Sequence, residues 1–349
     1  MNHEPWMIYG AYGYTGELIV REAIDQGRRP ILAGRDEAKL EALAETHGLP
    51  FRAFAVDDAA EQLNDVRLVL HCAGPFVHTA EPMMKACLER TVHYLDITGE
   101  IPVFQAAHRR HQAAVDAGVV LCPGVGFDVV PTDCLATLLK ESLPEATHLE
   151  LAFEFGSLPS LGTVRTAIEH IGAGGLIRED GQLKPVRLGY RIRKIPFARG
   201  DLWAVSLPWG DVFTSQISTG IPNAIVYGAM PRAACWSMRL ANPIRGILIQ
   251  PWAQRRLLWL AKRALGRGPN ETVHKEVRSG FWGRVTSPDG QERTATITGP
   301  SAYRMTAELA VAMASEVEKR KGPGGYFTAS MLVGADFLSG REGYHIEVL

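Results

Sequence analysis

The chain has 349 residues, of which 46% are hydrophobic and 21% charged, and its formal net charge is -1. That length suits two domains, and that composition suits a globular protein with a full core. A near-neutral balance supplies no global basic field, so nucleic acid is excluded as a general partner.

Trp6–Tyr9 reads as a strand and Gly16–Gln26 as a helix, with Ile19, Val20, Ala23 and Ile24 on one apolar stripe. Pro30–Ala33 is a second strand, and Asp36–His47 a helix capped by Asp36 and stopped by Gly48. Phe51–Val56 and Leu68–Cys72 follow as strands. Pro82–Arg90 reads as a helix opened by its own proline. Val92–Ile97 is a strand, Val103–Ala117 a helix and Val119–Cys122 a strand. This alternation predicts a parallel, doubly wound sheet. After about Pro131 the pattern changes. A helix over Thr132–Leu143 leads to a strand at His148–Phe155. A short helix from Thr163 precedes strand-like runs at Trp203–Leu207, Val212–Thr219 and Ala224–Met230. Arg278–Thr286 and Glu292–Thr298 read as a hairpin turned at Ser287-Pro288-Asp289-Gly290. Residues 301–320 form an amphipathic helix closed by Gly322 and Pro323. A helix near Ala329–Leu338 and a strand at His345–Leu349 end the chain. Runs of strands with few helices suggest an α+β second domain.

Five cysteines form no C-x-x-C pair and eleven histidines form no H-E-x-x-H. Neither a disulfide framework nor a metal site is expected, and a cytoplasmic setting is. His108 and His111 sit a turn apart beside Arg109 and Arg110, as on a solvated helix face. Too few residues precede Trp6 for a signal peptide, and no stretch matches a transmembrane span.

The chemistry concentrates in Gly10-Ala11-Tyr12-Gly13-Tyr14-Thr15-Gly16, between the first strand and the first helix. Gly10 turns the chain off the strand, Gly13 lets backbone approach a pyrophosphate, and Gly16 brings the helix close to the sheet. The helix start then offers N–H groups and a positive dipole end to phosphate. Thr15 adds a hydroxyl. The end of the second strand is Ala33-Gly34-Arg35, where an NAD site usually carries Asp or Glu. Arg35 suits a 2′-phosphate instead, with Lys39 assisting, so the cofactor expected is NADP(H). Asp57 borders the adenine side. Cys72-Ala73-Gly74-Pro75 provides small residues where a dinucleotide would cross the sheet edge, and Cys72 reads as packing rather than as a nucleophile.

At these residues the chain resembles the saccharopine dehydrogenase family in its broad sense, which includes the saccharopine-dehydrogenase-like oxidoreductases and the trans-acting enoyl reductases. Tyr94-Leu95-Asp96-Ile97-Thr98-Gly99-Glu100 and Gly126-Phe127-Asp128-Val129-Val130-Pro131 carry the most specific likeness. Leu161-Gly162-Thr163, Pro208-Trp209-Gly210-Asp211, Gly268-Pro269-Asn270-Glu271, Tyr303-Arg304-Met305-Thr306-Ala307 and Gly325-Tyr326-Phe327-Thr328-Ala329 extend it. Ala329 replaces the family's usual proline. The likeness leans to the oxidoreductase-like and enoyl-reductase branch. The resemblance implies an α/β fold: a Rossmann-type doubly wound parallel sheet, an inserted α+β substrate domain, and C-terminal helices returning to the Rossmann part. The boundaries expected are 1–131 with 301–349 for the dinucleotide domain, and 132–300 for the substrate and dimerisation domain. A homodimer is carried over from the family.

Asp96, Asp128 and Tyr303 are the catalytic candidates, placed to position substrate or relay a proton, and Glu100 shares the Asp96 turn. Each also has a plainer reading. The aspartates can tie loops through backbone N–H groups, and Tyr303 can be a packing aromatic. Three functions stay open: an NADP(H)-dependent reductase of a C=C, C=O or C=N bond in a fairly apolar small molecule, a saccharopine-type amino-acid enzyme, and a non-catalytic NADP-binding regulator. A saccharopine enzyme would want arginines such as Arg165, Arg187, Arg191 and Arg193, yet Arg187–Arg193 alternates like an edge strand with its charges outward. Finally, Met230–Arg267 interleaves Trp236, Trp252 and Trp259 with arginines. It reads as a helical pair with a solvated basic face, as a lid over an apolar substrate, or as a peripheral membrane contact through 232–267.

Overall fold

Strands that lie inside a parallel sheet are covered on both faces, so they are apolar throughout rather than alternating. β1 (Trp6–Tyr9), β2 (Ile31–Gly34) and β4 (Leu68–His71) are buried at every position. With β3 (Phe51–Ala53), β5 (His93–Asp96), β6 (Val120–Cys122) and the short strand Gly325–Tyr326 they form a seven-stranded sheet. From Gly325–Tyr326 inward its order is β6-β5-β4-β1-β2-β3, and every pair is parallel. This is the doubly wound order, with the switch point between β1 and β4. The computed structural model describes residues 5–156, 174–265 and 277–349, and 164, 165, 168 and 172 besides. Leu161-Gly162-Thr163 and Gly268-Pro269-Asn270-Glu271 lie outside them, and of the short helix expected from Thr163 only residues 164, 165 and 168 are described, all helical.

The helices are α1 (Tyr14–Asp25), α2 (Glu37–His47), α3 (Ala59–Gln62), α4 (Phe76–Glu89), α5 (Ile101–Arg109) and α6 (His111–Ala117). Asp36 caps α2 by accepting the Lys39 N–H at 3.3 Å, and Gly48 ends it at φ 62°. Two expectations need correction here. The helix expected over Val103–Ala117 is two, parted at Arg110 (φ -93°, ψ 7°). And α4 begins at Phe76, so Pro82 is inside the helix and does not open it. The cap comes from elsewhere in the chain: the Glu100 carboxylate accepts the N–H groups of Phe76 (3.0 Å) and Val77 (2.8 Å). His108 and His111 are exposed, as expected, and His111 Nδ1 also accepts the Tyr326 N–H at 3.1 Å.

The chain divides into two units, Met1–Val130 with Tyr303–Gly334, and Pro131–Ala302 with Ala335–Leu349. The second unit is a largely antiparallel sheet. Its order is Ile192–Phe197, Gly200–Ser206, Asn223–Ala229, His148–Glu154, Ser279–Thr286, Glu292–Gly299 and His345–Val348. Gly175–Glu179 and Gln182–Val186 add a side ribbon, and among the described strands of this sheet only Asn223–Ala229 with His148–Glu154 run parallel. The tail thus departs from the expected boundary. Residues 345–348 complete the open edge of the 279–299 hairpin, pairing Ile346 with Ile297, so Ala335–Leu349 joins the second unit. The edge strand expected at Arg187–Arg193 runs instead over Ile192–Phe197.

Val212–Thr219, expected as a strand, lies in a helix, Asp211–Thr219, closed by Gly220 at φ 71°. Its buried stripe is Asp211, Ser215 and Thr219 with Val212, spaced for a helix but polar, which hides it from a hydrophobic pattern. The Ser215 hydroxyl donates one turn back to the Asp211 carbonyl at 2.6 Å, so burial leaves it satisfied. Among the described residues no helix is long and apolar enough to cross a membrane.

Candidate functional site

The glycine loop is built as its spacing requires. Gly10 has φ 86°, and a Cβ there would lie 2.8 Å from the Ala73 backbone nitrogen. A Cβ on Gly16 would lie 2.2 Å from the Gly10 carbonyl oxygen, a distance no side chain survives. Gly13 donates its N–H to Gly10 O at 3.0 Å and is the N-cap of α1. A glycine N-cap brings no side chain to the first turn, so the N–H groups of Tyr14, Thr15 and Gly16 face the loop rather than a cap. Such a cradle fits a pyrophosphate.

At the end of β2, Gly34 leaves room for the Tyr12 ring, whose Cε1 would be 2.7 Å from a Cβ there. Arg35 is exposed beside it. Lys39 is engaged with Asp36 at 2.7 Å and stands 5.4 Å from the Tyr12 ring centroid. Arg35 therefore carries the 2′-phosphate expectation more directly than Lys39. Asp57 lies exposed in the tight turn Val56–Asp58 after β3.

The crossing loop Cys72-Ala73-Gly74-Pro75 joins β4 to α4. Thr79 fastens it, donating its hydroxyl to Ala73 O at 2.7 Å and approaching Pro75 O at 3.3 Å. With that hydrogen committed, Thr79 accepts from His71 Nε2 at 2.9 Å. Burial alone holds His71 neutral, its pKa down at about 3. Burial also pushes the Cys72 thiol well up, so no thiolate nucleophile is present.

The three catalytic candidates fare differently. Asp96 is fully buried and accepts from the Tyr94 hydroxyl (2.7 Å) and the N–H groups of Thr98 (3.0 Å) and Gly124 (2.9 Å). Those bonds tie the loops after β5 and β6 together. Burial raises its pKa to about 6, against the pull of the same donors. Asp128 sits beside Gly99, where a Cβ would be 3.2 Å from Asp128 Oδ2. Burial, then the charge of Glu100, raises Asp128 to about 7. Tyr303 packs edge-on against Tyr14, ring centroids 5.0 Å apart, so it reaches the first residue of α1. Three supports were not singled out from the sequence: Thr79, Glu100 as a helix cap, and Thr306, which accepts the Phe127 N–H at 3.2 Å. Their signal was present only as hydroxyls and a carboxylate near loops, with partners far along the chain.

A doubly wound sheet, a glycine cradle at its switch point and Arg35 at the end of β2 define a nicotinamide-dinucleotide-binding domain. Residues 6–122 match the family described as "Saccharopine dehydrogenase NADP binding domain". The saccharopine dehydrogenase-like oxidoreductase of Mus musculus is 29% identical over 210 residues, 53% of this chain and 45% of that protein. A trans-acting enoyl reductase of Mycobacterium ulcerans (strain Agy99) is 29% identical over 139 residues, 36% of this chain and 33% of that protein. The chain thus spans about half or less of the length of these curated relatives. Apo saccharopine dehydrogenase (L-Glu forming) from Saccharomyces cerevisiae shares the fold, with TM-score 0.66 at 13% identity, over 99% of this chain and 100% of that one.

Proposed function

We propose that this protein is an NADP(H)-dependent oxidoreductase acting on a C=C, C=O or C=N bond of a fairly apolar small molecule. The observation that carries this reading is the glycine cradle with Arg35 beside it, within the residues that match an NADP binding domain. When bound, the nicotinamide supplies or takes up the hydride. The chain does the rest. The start of α1 holds the pyrophosphate, and Arg35 takes the 2′-phosphate. Asp128 is the proton-holding group in this reading, since a carboxyl at about 7 exists in both forms near neutrality. The enoyl-type bond and the dimer come from the family likeness alone. A saccharopine-type substrate is less favoured, because Arg193 is already paired with Glu150 at 2.9 Å.

Titration with NADPH and NADH, following thermal stability, tests the reading beside an Arg35→Ala variant. Arg35→Ala is expected to weaken NADPH about 10- to 100-fold, the worth of a charge-assisted bond, and to leave NADH nearly unchanged. If neither nucleotide shifts the melt, the cradle is structural and the reading falls.

A further inference from the structure

Between Arg232 and Arg263 the chain carries seven arginines and lysines and no aspartate or glutamate, in a protein of net charge -1. The same stretch folds as helices, Arg232–Leu240, Arg245–Leu248 and Pro251–Leu265. Eight of the twelve large hydrophobic side chains exposed among the described residues lie between Trp236 and Leu260. Leu240 is 73% exposed, Trp252 58% and Trp259 57%. Scattered exposed apolar residues are ordinary, but a cluster of this kind marks an interaction surface.

The arrangement says what covers it. In Pro251–Leu265, Trp252 and Trp259 are seven residues apart and share the outer face with Arg255, Arg256 and Arg263, while Ala253 is buried. Arg263 stands over the Trp259 ring at 5.8 Å and Arg239 over Trp236 at 5.7 Å. Cations and indoles therefore lie on one surface rather than on opposite ones. A second copy related by a two-fold axis would set these cations against their own equivalents, with no acid to answer them. A headgroup layer accepts both: indole rings rest at its depth, and long basic side chains reach its phosphates. We propose that residues 232–263 form a peripheral docking surface for an anionic lipid bilayer. It is independent of the cofactor reading.

Flotation of the full chain with phosphatidylcholine vesicles, with and without phosphatidylglycerol, tests this. Binding to the anionic vesicles, reduced by added salt and accompanied by a blue shift of tryptophan emission, is expected. Trp252→Ser with Trp259→Ser, and Arg255→Gln with Arg256→Gln, alter only exposed side chains, so their melts match the parent. The arginine pair is expected to lower partitioning about 25-fold, about fivefold per cation. Absence of flotation, or flotation indifferent to phosphatidylglycerol, overturns the proposal. So does a dimer in light scattering that the tryptophan variants dissolve while vesicles stay unbound.

Discussion

Asp96 and Asp128 carry the same functional group only a few loops apart and do different things. Asp96 spends its lone pairs on Tyr94, Thr98 and Gly124, which makes it a structural tie. For Asp128, burial raises the pKa from 3.8 to about 7, with help from Glu100. The folded chain therefore binds a proton that the unfolded chain releases between those pH values. The stabilisation from this group is full below 3.8 and is lost as pH rises through about 7. Asp96 adds a change of the same sign, ending at about 6. Asp128→Asn is expected to flatten the fall in urea-unfolding free energy across that window. An unchanged slope would assign the pH dependence to other groups.

At the level of elements, α4 shows a cap supplied in trans. Glu100 holds the first two N–H groups of the helix that follows the loop at residues 72–75, and so fixes where that loop ends. Glu100→Ala is expected to cost about 1–2 kcal/mol in unfolding free energy, and Glu100→Gln less, because one amide oxygen still accepts. It should also lower the Asp128 pKa, since the Glu100 charge is one of the causes that raise it. Chemical denaturation measures the first effect and carboxyl titration by NMR the second. A Glu100→Ala protein as stable as the parent would show that water caps the helix equally well. In the second unit, Glu150 plays a comparable organising part. It accepts the Tyr227 hydroxyl (2.9 Å), pairs with Arg193 (2.9 Å) and receives Arg284 Nε (3.0 Å). Both guanidinium groups lie 5.8 Å from the Trp282 ring.

For the whole molecule, cofactor binding and folding are linked. A ligand that binds only the folded chain at a hundred times its Kd adds about 2.7 kcal/mol. NADPH is expected to slow amide exchange at Gly10–Glu17 and across residues 72–77 within the first unit. The sheet of the second unit serves as the internal reference. Equal slowing in both units would point to a global stabilisation rather than to a ligand seated on the glycine cradle.

The doubly wound half was legible because its signals are local. A glycine, a cap and an apolar run act within a few residues, and the β1–α1 loop needs Gly16 wherever it is folded. Alternating strands and helices pointed to a parallel, doubly wound sheet, while the order β3-β2-β1-β4-β5-β6 is set by how those units pack. Other features depended on partners distant in the chain. Pro82 looked like a helix start until Glu100 capped Phe76 from elsewhere. The helix Asp211–Thr219 hid behind a polar buried stripe, and the strand read at His345–Leu349 was expected with the dinucleotide domain, whereas it pairs with the Glu292–Gly299 edge of the second unit. Hydrophobic periodicity reports how a segment meets its own neighbours. Which carboxylate reaches which N–H, and which sheet edge lies open, is set by contacts that form only when distant segments pack.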